Sequence, residues 1–300
     1  MLLSIAPLAC GGPADSGLQS DAGEKVPCMA SASRPICDGS SGLRLAARWQ
    51  VKRVDPFASV LYELGDHYLF VDGRCHYWAH DTQTTGELSA WFPVREGDLS
   101  PQTEAALAAD VCYAEWEALS GRWGLTDISD PVPIIFHDAQ LAIGCRSPCE
   151  VPASRDDPAK FAKVRYMYRT QNAWVTRLYA EGVPMTDPLR IAVFEQRDNQ
   201  LPGLRRVVWP ASMRIENFLV PPAVAGPGQS RLIEDANDVL ALRGLRDSYL
   251  AGRLGFIGFG TIAIENADEP GAALYMLFIR DAVRPLEDNT GLIPYPPFPP

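Results

Sequence analysis

His67-Tyr-Leu-Phe-Val71, then Asp72-Gly73, then Cys75-His-Tyr-Trp-Ala79: two short apolar and aromatic runs flank a turn dipeptide. β-Branched and aromatic residues favour strands, and Asp-Gly supplies the positive φ angles that a tight turn wants, so the stretch predicts a β-hairpin. Upstream, Leu43-Arg-Leu-Ala-Ala-Arg-Trp-Gln-Val51 alternates at period two, as a half-buried strand does. Downstream, residues 86–92 predict a further strand, and Ser100-Pro101 opens a helix. Serine accepts from the free amides of a first turn, and proline is tolerated at the first helical position. That helix is expected to run to about Leu119, with Leu107, Val111, Ala114 and Ala118 on one face and Cys112 inside it.

A second unit begins after a break near residues 125–155, the place where the body would subdivide. Val132-Pro-Ile-Ile-Phe136 and Gln140-Leu-Ala-Ile-Gly144 flank His137-Asp138-Ala139 as another hairpin. Residues 158–180 predict a helix whose stripe is Val164, Met167, Tyr168, Gln171, Trp174, Val175 and Leu178, ended by Glu181-Gly182. Strands are expected at Leu189-Arg-Ile-Ala-Val-Phe194 and 204–209, a Pro/Gly-rich loop at 221–228, and a helix at 235–251. A last strand pair covers 256–265 and 273–280, before a proline-rich tail at 293–300 that cannot continue a ladder. Hairpins alternating with three main helices imply an α+β fold, an antiparallel or mixed sheet with the helices packed on one face. Residues 36–300 read as a single globular α+β domain, preceded at 1–35 by a signal-like segment and a disordered tether.

The composition narrows function by exclusion. The chain has 300 residues, 47% of them apolar and 21% charged, so it can bury a real core. Its net charge of −10 argues against nucleic acid and against electrostatic docking on anionic lipid. No Walker loop, GxGxxG after a strand, HExxH or GxSxG is present, and no cofactor is expected.

The first residues, Met1-Leu-Leu-Ser-Ile-Ala-Pro-Leu-Ala-Cys10, form a short apolar run ending in a cysteine, and Gly, Ser, Asp and Glu dominate residues 11–24. The Leu8-Ala9-Cys10-Gly11 junction resembles a bacterial lipoprotein signal. That resemblance implies that Cys10 becomes the N-terminus and carries acyl chains, with the membrane as a partner through that anchor only. Setting Cys10 aside leaves an even number of cysteines, as disulfide pairing requires. Cys145 and Cys149 flank a Ser-Pro turn that brings their sulfurs together, and Cys37 and Cys75 each flank a predicted strand. Cys28 in the tether and Cys112 in a helix remain as a third pair, or Cys112 is simply a small buried apolar residue. The stretches Ile36-Cys-Asp-Gly-Ser-Ser-Gly-Leu-Arg-Leu-Ala-Ala47, Tyr68-Leu-Phe-Val-Asp-Gly-Arg-Cys-His-Tyr-Trp78 and Gly291-Leu-Ile-Pro294 resemble uncharacterised bacterial lipoproteins of unknown function. The resemblance implies a location in the cell envelope and no activity.

Candidate chemistry is sparse. His76, Trp78 and His80 point to one face of their strand, so His76 and His80, with His137 brought alongside, form a candidate metal set. Tyr77, Trp78 and Trp91 form a candidate aromatic platform for a glycan or peptide. Glu115 with Glu117, and Glu234 with Asp235, are weighed as acid/base pairs and read more simply as helix-surface and helix-start carboxylates. Arg280-Asp281 reads as a surface ion pair. The leading reading is an exported, membrane-tethered binding or structural domain. The rivals are an exported hydrolase acting on an envelope or extracellular polymer, and a cytosolic partner-binding protein.

Overall fold

The computed structural model describes residues 28, 34–49, 67–81, 93–124, 133–138, 141–146, 149–186, 189–196, 207–209, 214–218, 231–251, 262–265 and 274–283. Cys10, Trp91, the strand expected at 86–92, the loop at 221–228 and the tail at 293–300 lie outside the described residues.

The chain is α+β, and its strands divide between two mixed sheets. The larger sheet is built from β1 (Leu43–Trp49), β2 (His67–Asp72), β3 (His76–His80), β4 (Arg95–Asp98), β5 (Gly121–Trp123), β6 (Pro133–His137), β7 (Ala142–Arg146) and β8 (Val183–Pro184). Its spatial order is β5-β7-β6-β1-β2-β3-β4-β8, antiparallel except where β5 meets β7. Between these strands run the helices α1 (Pro101–Asp110), α2 (Trp116–Leu119) and α3 (Pro158–Glu181). The smaller sheet holds β9 (Leu189–Gln196), β10 (Val207–Val208), β11 (Arg231–Ile233), β12 (Ile262–Glu265) and β13 (Leu274–Asp281) in the order β10-β12-β13-β9-β11. Helix α4 (Ala236–Ala251) comes after β11, and the Asp235 carboxylate caps it by accepting from the amides of Asn237 and Asp238. Among the described residues no helix is long and apolar enough to cross a membrane.

The hairpin at the centre has the predicted register, with Val71 opposite Tyr77 and Phe70 opposite Trp78. Its turn differs from the expected one. The Cys75 amide donates to the Asp72 carbonyl at 3.1 Å, and Cys75 itself takes the left-handed conformation at φ 69°. This is a three-residue connection, a tight turn followed by one left-handed residue. The strain falls on Cys75, where the disulfide to Cys37 holds it. Gly73 is required for a different reason: a Cβ there would collide with the Asp38 carboxylate and the Ser40 hydroxyl.

Both faces of the central strands are buried, which is why His67-Tyr-Leu-Phe-Val71 is an unbroken run rather than an alternation. Leu69, Val71, Tyr77 and Ala79 face the helices and pack with Leu107, Tyr113, Trp116, Val164 and Leu178. Tyr68, Phe70 and Trp78 face the other way and pack with Ala46, Val94, Met185 and Val283. Val283 arrives from beyond β13, so the C-terminal part of the chain closes the face that the helices leave open.

The helix expected over 100–119 starts as predicted, with Ser100 Oγ accepting from the Thr103 amide at 3.1 Å, but it breaks after Asp110. Cys112 is left-handed at φ 46°, bonded to Cys28, and a single 3₁₀ turn (Tyr113–Glu115) leads into α2. The break frees a carbonyl at Val111, which accepts from Trp116 Nε1 at 2.8 Å. Helix α3 matches the prediction closely. Asp157 caps it through two amides at 2.9 Å, and Phe161, Val164, Met167, Gln171, Trp174, Val175 and Leu178 are its buried face. Gly182, which ends it, is extended (φ −74°, ψ 166°) rather than left-handed and leads directly into β8.

Candidate functional site

Three cysteine pairs stand at disulfide distance: Cys28–Cys112, Cys37–Cys75 and Cys145–Cys149, with Cα separations of 5.2, 5.2 and 5.5 Å. Cys112 is thus a bridge anchor at a helix break, not a helical core residue. Two of the pairs fasten the N-terminal segment, at Cys28 and at Cys37, and polar contacts reinforce them. Glu104 Oε1 accepts from the Ile36 amide at 2.6 Å, and Arg34 reaches Asp138 at 3.1 Å. Three disulfides fit an oxidising, extracytoplasmic environment. Cys28, Cys112 and Glu115 also bring three potential metal-ligand atoms within 4.8 Å of one another. The sulfurs, however, are bonded to each other and Glu115 is paired with Lys163, so no donor of this group is open to a metal.

The structure does not bring the candidate metal set together. His76 and His80 share a face of β3 but stand four residues apart, about 13 Å along a strand. His137 lies on β6, with β1 and β2 between it and β3, about 14 Å across the sheet. His76 is half-buried between two carboxylates, with Nδ1 2.9 Å from Asp98 Oδ1 and Nε2 3.4 Å from Glu96 Oε2. His80 is buried against the Tyr68 ring at 5.4 Å, and burial holds the pKa of His137 below its usual 6.5.

The aromatic platform is likewise corrected. Tyr77 is 3% and Trp78 7% exposed, so neither offers a face to a ligand. The Tyr77 hydroxyl instead donates to the Leu178 carbonyl at 3.1 Å, fastening β3 to α3, and Trp78 belongs to the second core. Glu115 pairs with Lys163, while Asp235 spends its carboxylate on the α4 cap.

Two buried polar centres were not anticipated. The first is His67, Asp81 and Thr176, beneath α3. The hairpin register that pairs Tyr68 with His80 sets His67 opposite Asp81 at the open end, and both side chains are fully buried. His67 Nδ1 lies 3.5 Å from Asp81 Oδ1, and Thr176 Oγ1 donates to Asp81 Oδ2 at 2.8 Å. Burial pushes the His67 pKa from 6.5 down to about 4, against the opposing pull of Asp81. The order of the groups matters chemically. An activated nucleophile needs its hydroxyl on the imidazole, whereas here the hydroxyl sits on the carboxylate. The trio is therefore a polar joint between hairpin and helix, and extending the hairpin register outward from the turn would have exposed it.

The second centre is Asp281 at the end of β13. Its side chain is fully buried, where the sequence suggested a surface pair with Arg280. Arg243 Nη2 meets Oδ1 at 2.9 Å, and the Val94 amide donates to Oδ2 at 2.7 Å. The carboxylate therefore ties the smaller sheet and α4 to the chain entering β4.

No protein family, curated protein or solved structure matches the chain.

Proposed function

We propose that the chain is an exported lipoprotein, held to a membrane through acylated Cys10, whose body works as a binding or structural domain. The observation that carries this reading is the set of three disulfides, two of which fasten the segment next to the tether onto the body. A load applied through the tether would then reach the body at covalent points, not at a fraying end. The Gly- and Ser-rich stretch after Cys10 has the composition of a flexible spacer.

A hydrolase needs titratable groups converging where a substrate can reach them. In the described residues two sets of converging groups, His67 with Asp81 and Asp281 with its arginines, are buried in the core, which favours the binding or structural reading. His76 between Glu96 and Asp98 is a converging set that reaches the surface. A glycan or peptide ligand would have to find a surface other than Tyr77 and Trp78.

The test is metabolic labelling of the full-length gene product with a clickable palmitate analogue in a bacterial host. Label on the wild type, lost in Cys10→Ser together with membrane fractionation, supports the proposal. An unlabelled wild-type chain in the soluble fraction overturns it.

A further inference from the structure

Cys112 follows the end of α1, and the 3₁₀ turn after it folds Glu115 back towards it, the Glu115 amide donating to the Cys112 carbonyl at 2.8 Å. The Glu115 carboxylate thereby stands beside the Cys28–Cys112 bridge, with one of its oxygens and both sulfurs within 4.8 Å of one another. Two cysteine sulfurs and a carboxylate are a zinc donor set in everything but oxidation state. A sulfur in a disulfide is covalently satisfied and does not ligate, whereas a thiolate does.

The cluster reaches the surface. Cys28 and Glu115 are half-buried, and Cys112 alone is fully buried. Nor does an ion need a cavity that is already there, because breaking the S–S bond makes the room. Tetrahedral zinc at about 2.3 Å from each sulfur holds the two sulfurs about 3.8 Å apart. Rotation of the two side chains reaches that separation from Cα atoms 5.2 Å apart. Glu115 is paired with Lys163, but a carboxylate has about four lone-pair sites over its two oxygens and can hold an ammonium and a metal together.

We propose that Cys28, Cys112 and Glu115 form a latent site for zinc or a similarly thiophilic divalent cation, closed by the disulfide and opened when a dithiol reduces it. The dithiol gives up two electrons and two protons and becomes a disulfide, while the Cys28–Cys112 bond breaks into two thiols. The cation then displaces both thiol protons to water and binds the two thiolates and the carboxylate, leaving a fourth tetrahedral position for water. Metal ligation would fasten Cys28 to the body where the covalent bond had done so. The inference does not rest on Cys10 or on the proposed anchoring.

The test uses the full chain with cobalt(II) as the spectroscopic probe and a phosphine as reductant, since a thiol reductant would compete for the metal. The oxidised chain should bind no cobalt at this site. The reduced chain should show a sulfur-to-cobalt charge-transfer band and the strong visible bands of tetrahedral cobalt, and zinc should bleach both. One equivalent of this uptake should vanish in the double variant Cys28→Ser, Cys112→Ser. Glu115→Gln should weaken it by at least about tenfold, because loss of even an outer-shell partner costs about 10–100-fold. Lys163→Gln breaks the same ion pair but leaves every ligand in place, and should bind cobalt as the wild type does. Alkylation mapping of the reduced, unmodified chain with and without cobalt gives a readout free of any variant's folding, and the metal should shield Cys28 and Cys112 specifically. No tetrahedral spectrum from the reduced wild type, undiminished uptake in the double variant, equal losses in Glu115→Gln and Lys163→Gln, or shielding that falls on other cysteines overturns the proposal.

Discussion

Acidification probes the polar joint beneath α3. His67 is fully buried, and its pKa is pushed from 6.5 down to about 4, mainly by burial. Between those values the unfolded chain binds a proton at this position that the folded chain refuses. Stability is therefore complete above pH 6.5 and drains away as the pH falls towards 4, because the unfolded state holds more protons there. At about 1.4 kcal/mol per pH unit the whole gap is worth roughly 3 kcal/mol, a large share of the 5–15 kcal/mol typical of a domain. The assay is urea unfolding across this window for the wild type and for His67→Gln, which cannot titrate. The wild type should lose roughly 3 kcal/mol more than the variant, with no difference in slope above pH 7. NMR titration of the chain's four histidines gives the same information directly, with His67 the laggard. Parallel pH profiles for wild type and variant, or a His67 resonance titrating near 6.5, would refute the reasoning.

Other outcomes rest on the same geometry. Replacing each disulfide pair by serines should cost in the order of loop length: roughly 4.5 kcal/mol for Cys28–Cys112, about 4 for Cys37–Cys75 and about 2 for Cys145–Cys149, read from denaturant midpoints of the three double variants; sequence separations of 84, 38 and 4 set that order, and a reversed ranking would contradict it. Gly97→Ala would place a Cβ 2.8 Å from the Tyr77 hydroxyl and 2.9 Å from its ring carbons, so a loss of about 1–3 kcal/mol is expected in chemical unfolding, and a neutral variant would deny that approach. Trp116→Ala removes a fully buried ring and its bond to the Val111 carbonyl; about 3–5 kcal/mol should be lost, and a shift under about 1 kcal/mol would mean that the α1–α2 break is not part of the core.

Much of the α+β pattern is legible in the sequence because its signals are local. Asp72-Gly73 between aromatic runs and Ser100-Pro101 each carry their own turn or cap chemistry, the apolar stripe from Val164 to Leu178 carries its own helical period, and all three mark elements in the structure. Two of the cysteine pairs are legible too, from the Ser-Pro turn between Cys145 and Cys149 and from the predicted strands beside Cys37 and Cys75, whereas the bond between Cys28 and Cys112 is settled only by the fold. What escapes the sequence arrives from far along the chain. Arg-Glu-Gly-Asp at β4 has no apolar alternation and becomes a strand only because β3 and β8 flank it. The break at Cys112 is tied to a bond with Cys28. Period-two alternation places Trp78 on a face, yet whether that face is covered depends on Val94, Met185 and Val283. The same alternation puts His76 and His80 on one side of β3 without putting them within reach of one ion. Asp281 reads as a surface partner of its neighbour Arg280, while its real partners sit a helix away at Arg243 and Arg246.

The central claim, that this body is held together by oxidised cysteines outside the cytosol, is open to a single direct measurement. The chain is isolated from its own cells with alkylating agent present throughout, then denatured without reductant and mapped by mass spectrometry. Cys28, Cys37, Cys75, Cys112, Cys145 and Cys149 should all escape alkylation and appear in three linked peptide pairs joined as in the structure. Alkylation of all of them would contradict the account.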